Sequence, residues 1–213
     1  MTTIVQSKLM QRLSAQSEAS PLSLPRVRVG IKPLNWTGSR RFMNPGELEA
    51  LVALMDGATR VIEFGCNEGR TAKVLMRHVP TIKRYVGIDV LPGYITDKPV
   101  QRREVPADPG HLAKGDPRFQ LFVSERGSFD FKLEPRNPEL VFDAAFIDGD
   151  HGWRGVLHDT MLARQLVRPG GIIVWHDYHD RGNVDVREVL EILHVTGSKI
   201  SAVEDTWLAF ERV

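Results

Sequence analysis

The sequence contains only one cysteine, Cys66, among its 213 residues. No internal disulfide can form, so the fold depends on a buried core, which a chain of this length can assemble without cross-links. The sequence also has no run of the roughly 20 apolar residues that a membrane-spanning helix requires. Its N-terminal segment lacks the continuous apolar stretch of a secretory signal peptide. We therefore expect a cytoplasmic protein with no membrane partner.

An excess of charge of either sign is missing as well. The 28 Lys and Arg residues nearly balance the 27 Asp and Glu residues, which leaves a formal net charge of +1 at pH 7. A surface that coats nucleic acid normally has a large basic excess. A nucleic-acid partner is therefore disfavoured, and a small-molecule partner is favoured.

Short apolar segments alternate with helical patterns from residue 60 onward. The predicted strands are Arg60–Phe64, Arg84–Asp89, Phe119–Val123, Asp143–Asp148 and Gly171–His176. Helices are predicted between them at about Arg70–His78 and Trp153–Val167, and after them at Val184–His194. Strands that are apolar on both faces are typical of parallel sheets covered by helices on both sides. The alternation predicts an α/β fold with a doubly wound, mostly parallel sheet.

The two ends of the chain depart from this alternation. Lys199–Glu204 and Thr206–Arg212 predict two strands with almost no connection, hence an antiparallel C-terminal hairpin and a sheet of seven strands. Residues 1–44 are predicted to form an N-terminal appendage, and residues 45–213 are predicted to form the main domain. The main domain opens with a helix at Pro45, where Asn44 and Glu47 fit a capping box.

A long insertion, residues 91–118, interrupts the main domain, and its many Pro and Gly residues forbid a long helix. It follows the carboxyl end of a predicted strand, where ligands bind in such sheets. We interpret it as a lid or as part of the acceptor site, with an inert surface loop as the open alternative.

A glycine turn joins the first strand of the main domain to its helix. Gly65 permits a sharp turn, Gly69 permits close packing, and the free N–H groups of the helix start suit an anionic ligand. The dinucleotide fingerprint G-x-G-x-x-G requires glycine at the position of Asn67. Asp89 ends the next predicted strand and is placed to accept both hydroxyls of a ribose, in NAD or in another nucleoside cofactor.

The run Glu63-Phe64-Gly65-Cys66-Asn67-Glu68-Gly69 resembles motif I of the class I S-adenosylmethionine-dependent methyltransferases, with Asn67 in place of the middle glycine. The terminal hairpin is also similar to the C-terminal part of that fold. The resemblance implies S-adenosyl-L-methionine as cofactor, with Glu63 near its methionine part and Asp89 at its ribose. The residues that it assigns to cofactor binding are Glu63, Gly65, Asn67, Gly69, Asp89, Ser128, Phe129 and Asp148. Ser128 and Phe129 would line the adenine, and a plain loop there is the alternative.

Two adjacent predicted strands end in clusters of His and Asp, in Ile147-Asp148-Gly149-Asp150-His151 and Trp175-His176-Asp177-Tyr178. These runs resemble a methyltransferase group that includes metal-dependent O-methyltransferases of small molecules, among them macrocin-like sugar O-methyltransferases. The resemblance implies a divalent metal such as Mg or Mn on Asp148, His176 and Asp177. His176 stands where the family commonly has Asp, and an imidazole suits Mn, Fe or Zn better than Mg.

The chemistry of methyl transfer to a hydroxyl requires a base, because the sulfonium methyl is already electrophilic whereas the hydroxyl is protonated at pH 7. Asp150 and His151 are the candidates. Asp150 matches the base of the sugar-methylating relatives, and His151 stands where catechol-type relatives have a lysine. We therefore predict O-methylation of a hydroxylated small molecule.

Several alternatives remain open at the level of sequence. In one alternative no metal binds: Asp148 then holds a water molecule or the ammonium group of the cofactor. His176 and Asp177 then only cap the loop that follows their strand. The chain can be an NAD-dependent oxidoreductase or a non-catalytic scaffold with this fold. A nucleic-acid methyltransferase is disfavoured, because no N/D-P-P-Y motif follows the fourth strand. The acceptor is not identified by any motif, and a homodimer through the N-terminal segment is an open alternative.

Overall fold

The computed structural model of the protein describes residues 23–34, 43–94, 105–132, 141–181 and 184–213. The strands are β1 Arg26–Val27, β2 Arg60–Phe64, β3 Arg84–Val90, β4 Phe119–Ser124, β5 Phe142–Ile147, β6 Val167–Trp175, β7 Ser201–Val203 and β8 Ala209–Arg212. The helices are α1 Pro45–Leu54, α2 Arg70–His78, α3 Trp153–Leu166 and α4 Val186–Val195, with a 3₁₀ turn at Gly127–Asp130. Residues 1–22 of the predicted appendage and 95–104 of the predicted insertion lie outside the described ranges.

All of these strands form one sheet in the order β1-β7-β8-β6-β5-β2-β3-β4. Five neighbouring strands, β6, β5, β2, β3 and β4, are parallel to one another. Strand β8 runs antiparallel to both of its neighbours, β6 and β7. This confirms the predicted α/β class, with a mostly parallel sheet that ends in an antiparallel C-terminal hairpin.

The sheet has eight strands among the described residues, whereas the sequence predicts seven. The additional strand, β1, comes from the segment predicted to be an appendage and pairs in parallel with β7, Arg26 lying opposite Ala202. Both residues of β1 are exposed. A strand of two exposed residues has no hydrophobic periodicity, so the sequence pattern could not reveal it.

Both faces of the sheet are covered, which explains why its strands are apolar throughout. In β6, Ile173 and Trp175 pack into a core that includes residues of α3 and α4. Ile172 and Val174, which point to the opposite face, pack into a second core with residues of α1 and α2. None of the described helices has the length and hydrophobicity needed to cross a bilayer.

The topology determines where a ligand can bind. Strand β2 pairs with β3 on one side and with β5 on the other, so the order of the strands reverses there. In open α/β sheets ligands bind outside the carboxyl ends of the strands at such a reversal. The residues that follow β2, β5 and β6 therefore line the expected crevice.

Helix α1 begins with the predicted capping box. The side chain of Asn44 accepts a hydrogen bond from the backbone N–H of Glu47 (3.0 Å), and the Glu47 carboxylate accepts one from the N–H of Asn44 (2.9 Å). Pro45 is the first helical residue. Each of these bonds satisfies an N–H group that the helix itself leaves unpaired.

The capping box gives a stability prediction. Asn44→Ala removes the acceptor for the N–H of Glu47, so the free energy of unfolding should fall by about 1 kcal/mol. Urea denaturation followed by circular dichroism measures this change. Asn44→Asp keeps an acceptor at the same position and should stay near the wild type. Equal midpoints for the Ala and Asp variants would contradict the role of this cap.

Candidate active site at the carboxyl edge of the sheet

The turn after β2 is the first component of the site. Gly65 has a φ of +83°, and a Cβ on it would lie 2.3 Å from the carbonyl oxygen of Asp148. Gly69 has a φ of +82° and precedes α2 without any side-chain cap. Asn67 also has a left-handed φ, +47°, which asparagine tolerates better than most residues. The turn therefore packs directly on the segment after β5, and it leaves the N–H groups of α2 available to a ligand.

Asp89, at the end of β3, is fixed to this turn. Its carboxylate accepts hydrogen bonds from the backbone N–H of Asn67 (2.6 Å) and from that of Val90 (2.7 Å). Burial raises the pKa of Asp89, and the two backbone bonds oppose that effect. The carboxylate thus has a fixed orientation beside the glycine turn, where it can accept further hydrogen bonds from hydroxyl groups.

Glu63 lies in β2, two positions before Gly65 of the turn. Its side chain is 1% exposed, and the hydroxyl of Tyr85 donates a hydrogen bond to it (3.0 Å). Burial raises the pKa of Glu63 well above its ordinary value, with Tyr85 acting in the opposite direction. In this conformation the carboxyl group is enclosed next to the turn and is not accessible to a ligand.

Part of the predicted insertion is hydrogen-bonded to the backbone of the glycine turn. The backbone N–H of Gly110 donates to the carbonyl oxygen of Asn67 (2.7 Å), and the N–H of Leu112 donates to that of Glu68 (2.9 Å). The described part of the insertion therefore holds the glycine turn in place, which a sequence pattern of turn residues does not predict.

Ser128 and Phe129 lie in the 3₁₀ turn after β4, and both contact α3. The hydroxyl of Ser128 donates to Asp159 (2.5 Å), and the ring of Phe129 stacks on His158 at a centroid distance of 3.9 Å. Asp159 is 3% exposed, and burial raises its pKa to about 7. Asp159 was not predicted as part of the site, although its spacing of three residues from the apolar Val156 places it on the buried face of α3.

The acidic cluster that follows β5 and β6 is the centre of the site. Ile147 lies opposite Trp175 in the sheet, so the residues that follow them meet. Nε2 of His151 lies 3.4 Å from a carboxylate oxygen of Asp148 and 3.1 Å from one of Asp177. One potential ligand atom from each of these three residues lies within 4.8 Å of the other two. Two carboxylates and one imidazole form a donor set that fits a divalent transition metal.

His176, the predicted histidine ligand, lies against the same two carboxylates as His151. It is 3% exposed, with Nδ1 3.3 Å from Asp148 and 3.4 Å from Asp177, and Nε2 3.6 Å from Glu47. Burial lowers the pKa of His176, but the carboxylates outweigh burial and raise it well above its ordinary value. The three predicted ligands, Asp148, His176 and Asp177, thus lie together, and His151 adds a second imidazole to the two carboxylates.

Glu47 is a part of the site that the sequence analysis assigned only to a helix cap. Its side chain is 1% exposed, and besides capping α1 it accepts a hydrogen bond from the backbone N–H of Trp207 (3.0 Å). Burial raises the pKa of Glu47, but His176 and the backbone donors outweigh burial and lower it. An ionised Glu47 therefore joins α1, the end of β6 and the β7–β8 loop.

The two predicted bases have different surroundings. His151 contacts both carboxylates of the cluster, and although burial lowers its pKa, Asp148 and Asp177 raise it overall. Asp150 accepts hydrogen bonds from the backbone N–H of Gly152 (2.9 Å) and from the hydroxyl of Tyr94 (3.3 Å). Tyr94 belongs to the predicted insertion, so Asp150 connects that segment to the site.

Comparisons with known proteins agree with this geometry. Residues 62–178, more than half of the chain, match the profile of a family described as a methyltransferase domain. An uncharacterized protein of Acanthamoeba polyphaga mimivirus is 30% identical over 126 residues, which cover 56% of this chain and 51% of that protein. The chain therefore spans about half the length of that relative.

Solved structures share the fold. The O-methyltransferase NovP has a TM-score of 0.59 at 10% identity, with 83% of each chain covered. The O-methyltransferase TomG from Streptomyces achromogenes, solved with SAM, has a TM-score of 0.50 at 18% identity over 75% of this chain and 74% of its own. An O-methyltransferase from Bacillus cereus, solved with SAH, has a TM-score of 0.50 at 16% identity over 96% and 88%. At these identities the likeness establishes the class I methyltransferase fold.

The close approach of Gly65 to Asp148 gives a second stability prediction. Gly65→Ala places a methyl group against the Asp148 backbone at a left-handed φ, so the free energy of unfolding should fall by roughly 2–4 kcal/mol. Gly115 has an ordinary φ and open space around it, which makes Gly115→Ala the matched control. Denaturant titration of both variants measures the difference. A Gly65→Ala protein as stable as the control would mean that the two loops are not in contact.

Proposed function

Because the chain belongs to the family of proteins with a methyltransferase domain, as the resemblance in its sequence implied, we propose that it transfers a methyl group from S-adenosyl-L-methionine to a hydroxyl group of a small molecule. The observation that carries this proposal is the contact between two components of the site. The glycine turn, which is suited to a nucleoside cofactor, packs on the backbone of Asp148, which begins the His–Asp cluster. A cofactor and an acceptor bound to these components would be neighbours.

The geometry of the glycine turn suits this cofactor. Gly65 and Gly69 both have left-handed φ values, which shape the turn, and α2 begins without a side-chain cap, so its first N–H groups suit a carboxylate. Asp89 offers acceptor oxygens to ribose hydroxyls at the next strand. TomG and the Bacillus cereus enzyme are solved with SAM and SAH, respectively, which supports the same cofactor for this chain. When bound, S-adenosylmethionine supplies the electrophilic methyl group.

The chain itself must then orient the acceptor and remove its proton. His151 lies between Asp148 and Asp177, whose carboxylates accept hydrogen bonds from its Nε2–H and stabilise the imidazolium that forms when the ring takes up a proton. The cluster adjoins the turn, so its groups can hold an acceptor oxygen in line with the methyl group. This arrangement supports His151 as the base of a reaction without a metal.

A divalent metal changes the assignment of the base. Asp148, His151 and Asp177 would hold it, and it would lower the pKa of an acceptor hydroxyl. As a ligand, His151 has no lone pair left for a proton, so Asp150 becomes the candidate base. His176, the ligand implied by the sequence, would have to lose its proton before binding a metal. The two roles of His151 exclude one another, which makes the metal question testable.

The alternatives have less support. An NAD-dependent oxidoreductase needs the second glycine that Asn67 replaces, and the family match favours methyl transfer. A non-catalytic scaffold would not need buried, oriented carboxylates at both Asp89 and Asp148. A cytoplasmic location and the absence of a nucleic-acid partner belong to the same proposal, and the buried free thiol of Cys66 agrees with a reducing compartment.

Cofactor binding is the first test. S-Adenosylhomocysteine should bind the wild-type protein in isothermal titration calorimetry, and Asp89→Ala should weaken binding by about 10- to 100-fold, because charge-assisted hydrogen bonds to the ribose are lost. Asp56→Asn, an exposed acid after α1, is the charge-matched control. Thermal unfolding shows whether the Asp89 variant is folded. Undiminished affinity in a folded Asp89→Ala protein, or no binding by the wild type, would refute the cofactor site.

Metal binding is the second test. If a metal takes part, Mn²⁺ should bind the wild type, Asp148→Asn and His151→Gln should each lose most of the affinity, and His176→Gln should retain more of it. Removal of metal with a chelator should then abolish methyl transfer. Transfer that survives chelation and is lost in His151→Gln would instead assign His151 as the base.

A further inference from the structure

A cavity of about 340 Å³ opens beside the His–Asp cluster. Its walls come from the start of α1, from β1, from the segments that follow β6 and from the β7–β8 loop. The residues that matter for its chemistry are Arg26, His179, Arg181, Arg187, Asp205 and Trp207. Pockets of about 300–1,000 Å³ accommodate one small molecule, so this volume is at the small end of that range.

The cavity adjoins the proposed reaction centre through two contacts. Nε2 of His179, a lining residue, lies 3.2 Å from a carboxylate oxygen of Asp177. Glu47, which also lines the cavity, pairs with His176. A compound bound in the cavity therefore has one end beside the cluster.

The charged residues on the wall are unevenly paired. Arg187 is paired with Glu191 (2.9 Å) and lies 3.8 Å from Asp180. Arg26 and Arg181, in contrast, form no ion pair with a carboxylate within the described ranges of the chain, although both line the cavity. Three arginines and three acids (Glu47, Asp180 and Asp205) line the cavity, so their formal charges balance. Two of the guanidinium groups nevertheless lie without a carboxylate partner in the part of the chain that the structure describes.

The cavity also has an aromatic wall. The rings of His179 and Trp207 lie with their centroids 4.2 Å apart, and the guanidinium of Arg181 lies 6.0 Å from the Trp207 ring. The backbone of Trp207 is held by its hydrogen bond to the buried Glu47. An indole next to a free guanidinium suits a planar ligand that carries a negative charge, because the ring gives contact area and the guanidinium binds carboxylate or phosphate oxygens in pairs.

We propose that this cavity is the acceptor pocket, and that the acceptor is a planar hydroxylated compound carrying an anionic group, a carboxylate or a phosphate. Arg181 and Arg26 bind the anionic group, Trp207 contacts the ring, and the hydroxyl group lies at the end of the cavity formed by His179, which contacts Asp177 of the cluster. This inference rests on the proposed methyl transfer and adds the class of acceptor and the residues that select it.

Binding measurements with matched probes test the proposal without relying on turnover. The carboxylate pair is 3,4-dihydroxybenzoate and its neutral methyl ester, and the phosphate pair is phenyl phosphate and phenol. Isothermal titration should show at least about tenfold tighter binding of the charged member of one pair, the value expected for a charge-assisted hydrogen-bonded contact. The pair that shows the preference identifies the anionic group.

Variants locate the contact. Arg181→Gln should remove the preference for the charged probe, and Arg181→Lys should keep part of it. Arg60→Gln, at the amino end of β2 and so at the opposite edge of the sheet, removes the same charge and should leave the preference intact. Thermal unfolding of each variant checks its fold, and the comparison of charged and neutral probes on the wild type needs no variant at all.

A parallel titration with S-adenosylhomocysteine separates the two proposals. If the cofactor binds but the charged probes bind no more tightly than the neutral ones, the acceptor class is wrong while the proposed methyl transfer stands. If the charged probes bind but the cofactor does not, the cavity is not an acceptor pocket, and the inference fails with the proposed function. A preference that persists in Arg181→Gln also overturns it.

Discussion

The imidazole of His176 lies among three carboxylates, and the arrangement of the site depends on it. Glu47, Asp148 and Asp177 all lie within 3.6 Å of its two nitrogens, and His176 is almost completely buried. Removing a charge from water costs several kcal/mol even after relaxation, and three converging carboxylates without a cation would repel one another as well. Burial opposes the charged form of all four groups, but the carboxylates raise the pKa of His176 and His176 lowers the pKa of each carboxyl, so their charged forms stabilise one another.

This interaction also joins parts of the chain that are far apart in sequence. Glu47 begins α1, Asp148 follows β5, and Asp177 follows β6, while the second oxygen of Glu47 fixes the backbone of Trp207 in the β7–β8 loop. The sheet brings the ends of β5 and β6 together, and the ion pairs then attach α1 and the hairpin to them. The His–Asp cluster and the wall of the cavity beside it are thereby held by one network of buried and half-buried groups.

Much of this could be predicted from the sequence, for a physical reason. Parallel strands covered on both faces produce short apolar runs, and carboxyl ends of neighbouring strands meet at one edge, so Asp89, Asp148 and Asp177 could be assigned to a common crevice. The strand β1 could not be predicted, because its two residues are exposed and too few to show a hydrophobic periodicity. Asp159 and Glu47 were missed as members of the site because their burial results from contacts with residues distant in sequence. A capping box explains Glu47 locally and conceals its second role.

The two histidines of the cluster show why residue type and strand position alone do not assign a role. His151 and His176 both contact Asp148 and Asp177, and both follow the end of a parallel strand. Glu47 distinguishes their surroundings, since it adds a third carboxylate beside Nε2 of His176, which is almost completely buried. His151, with Nε2 between only two carboxylates, is the imidazole whose lone pair can become available to a proton or to a metal. A helix-capping residue that is distant in sequence thus gives one histidine of the cluster a third carboxylate neighbour.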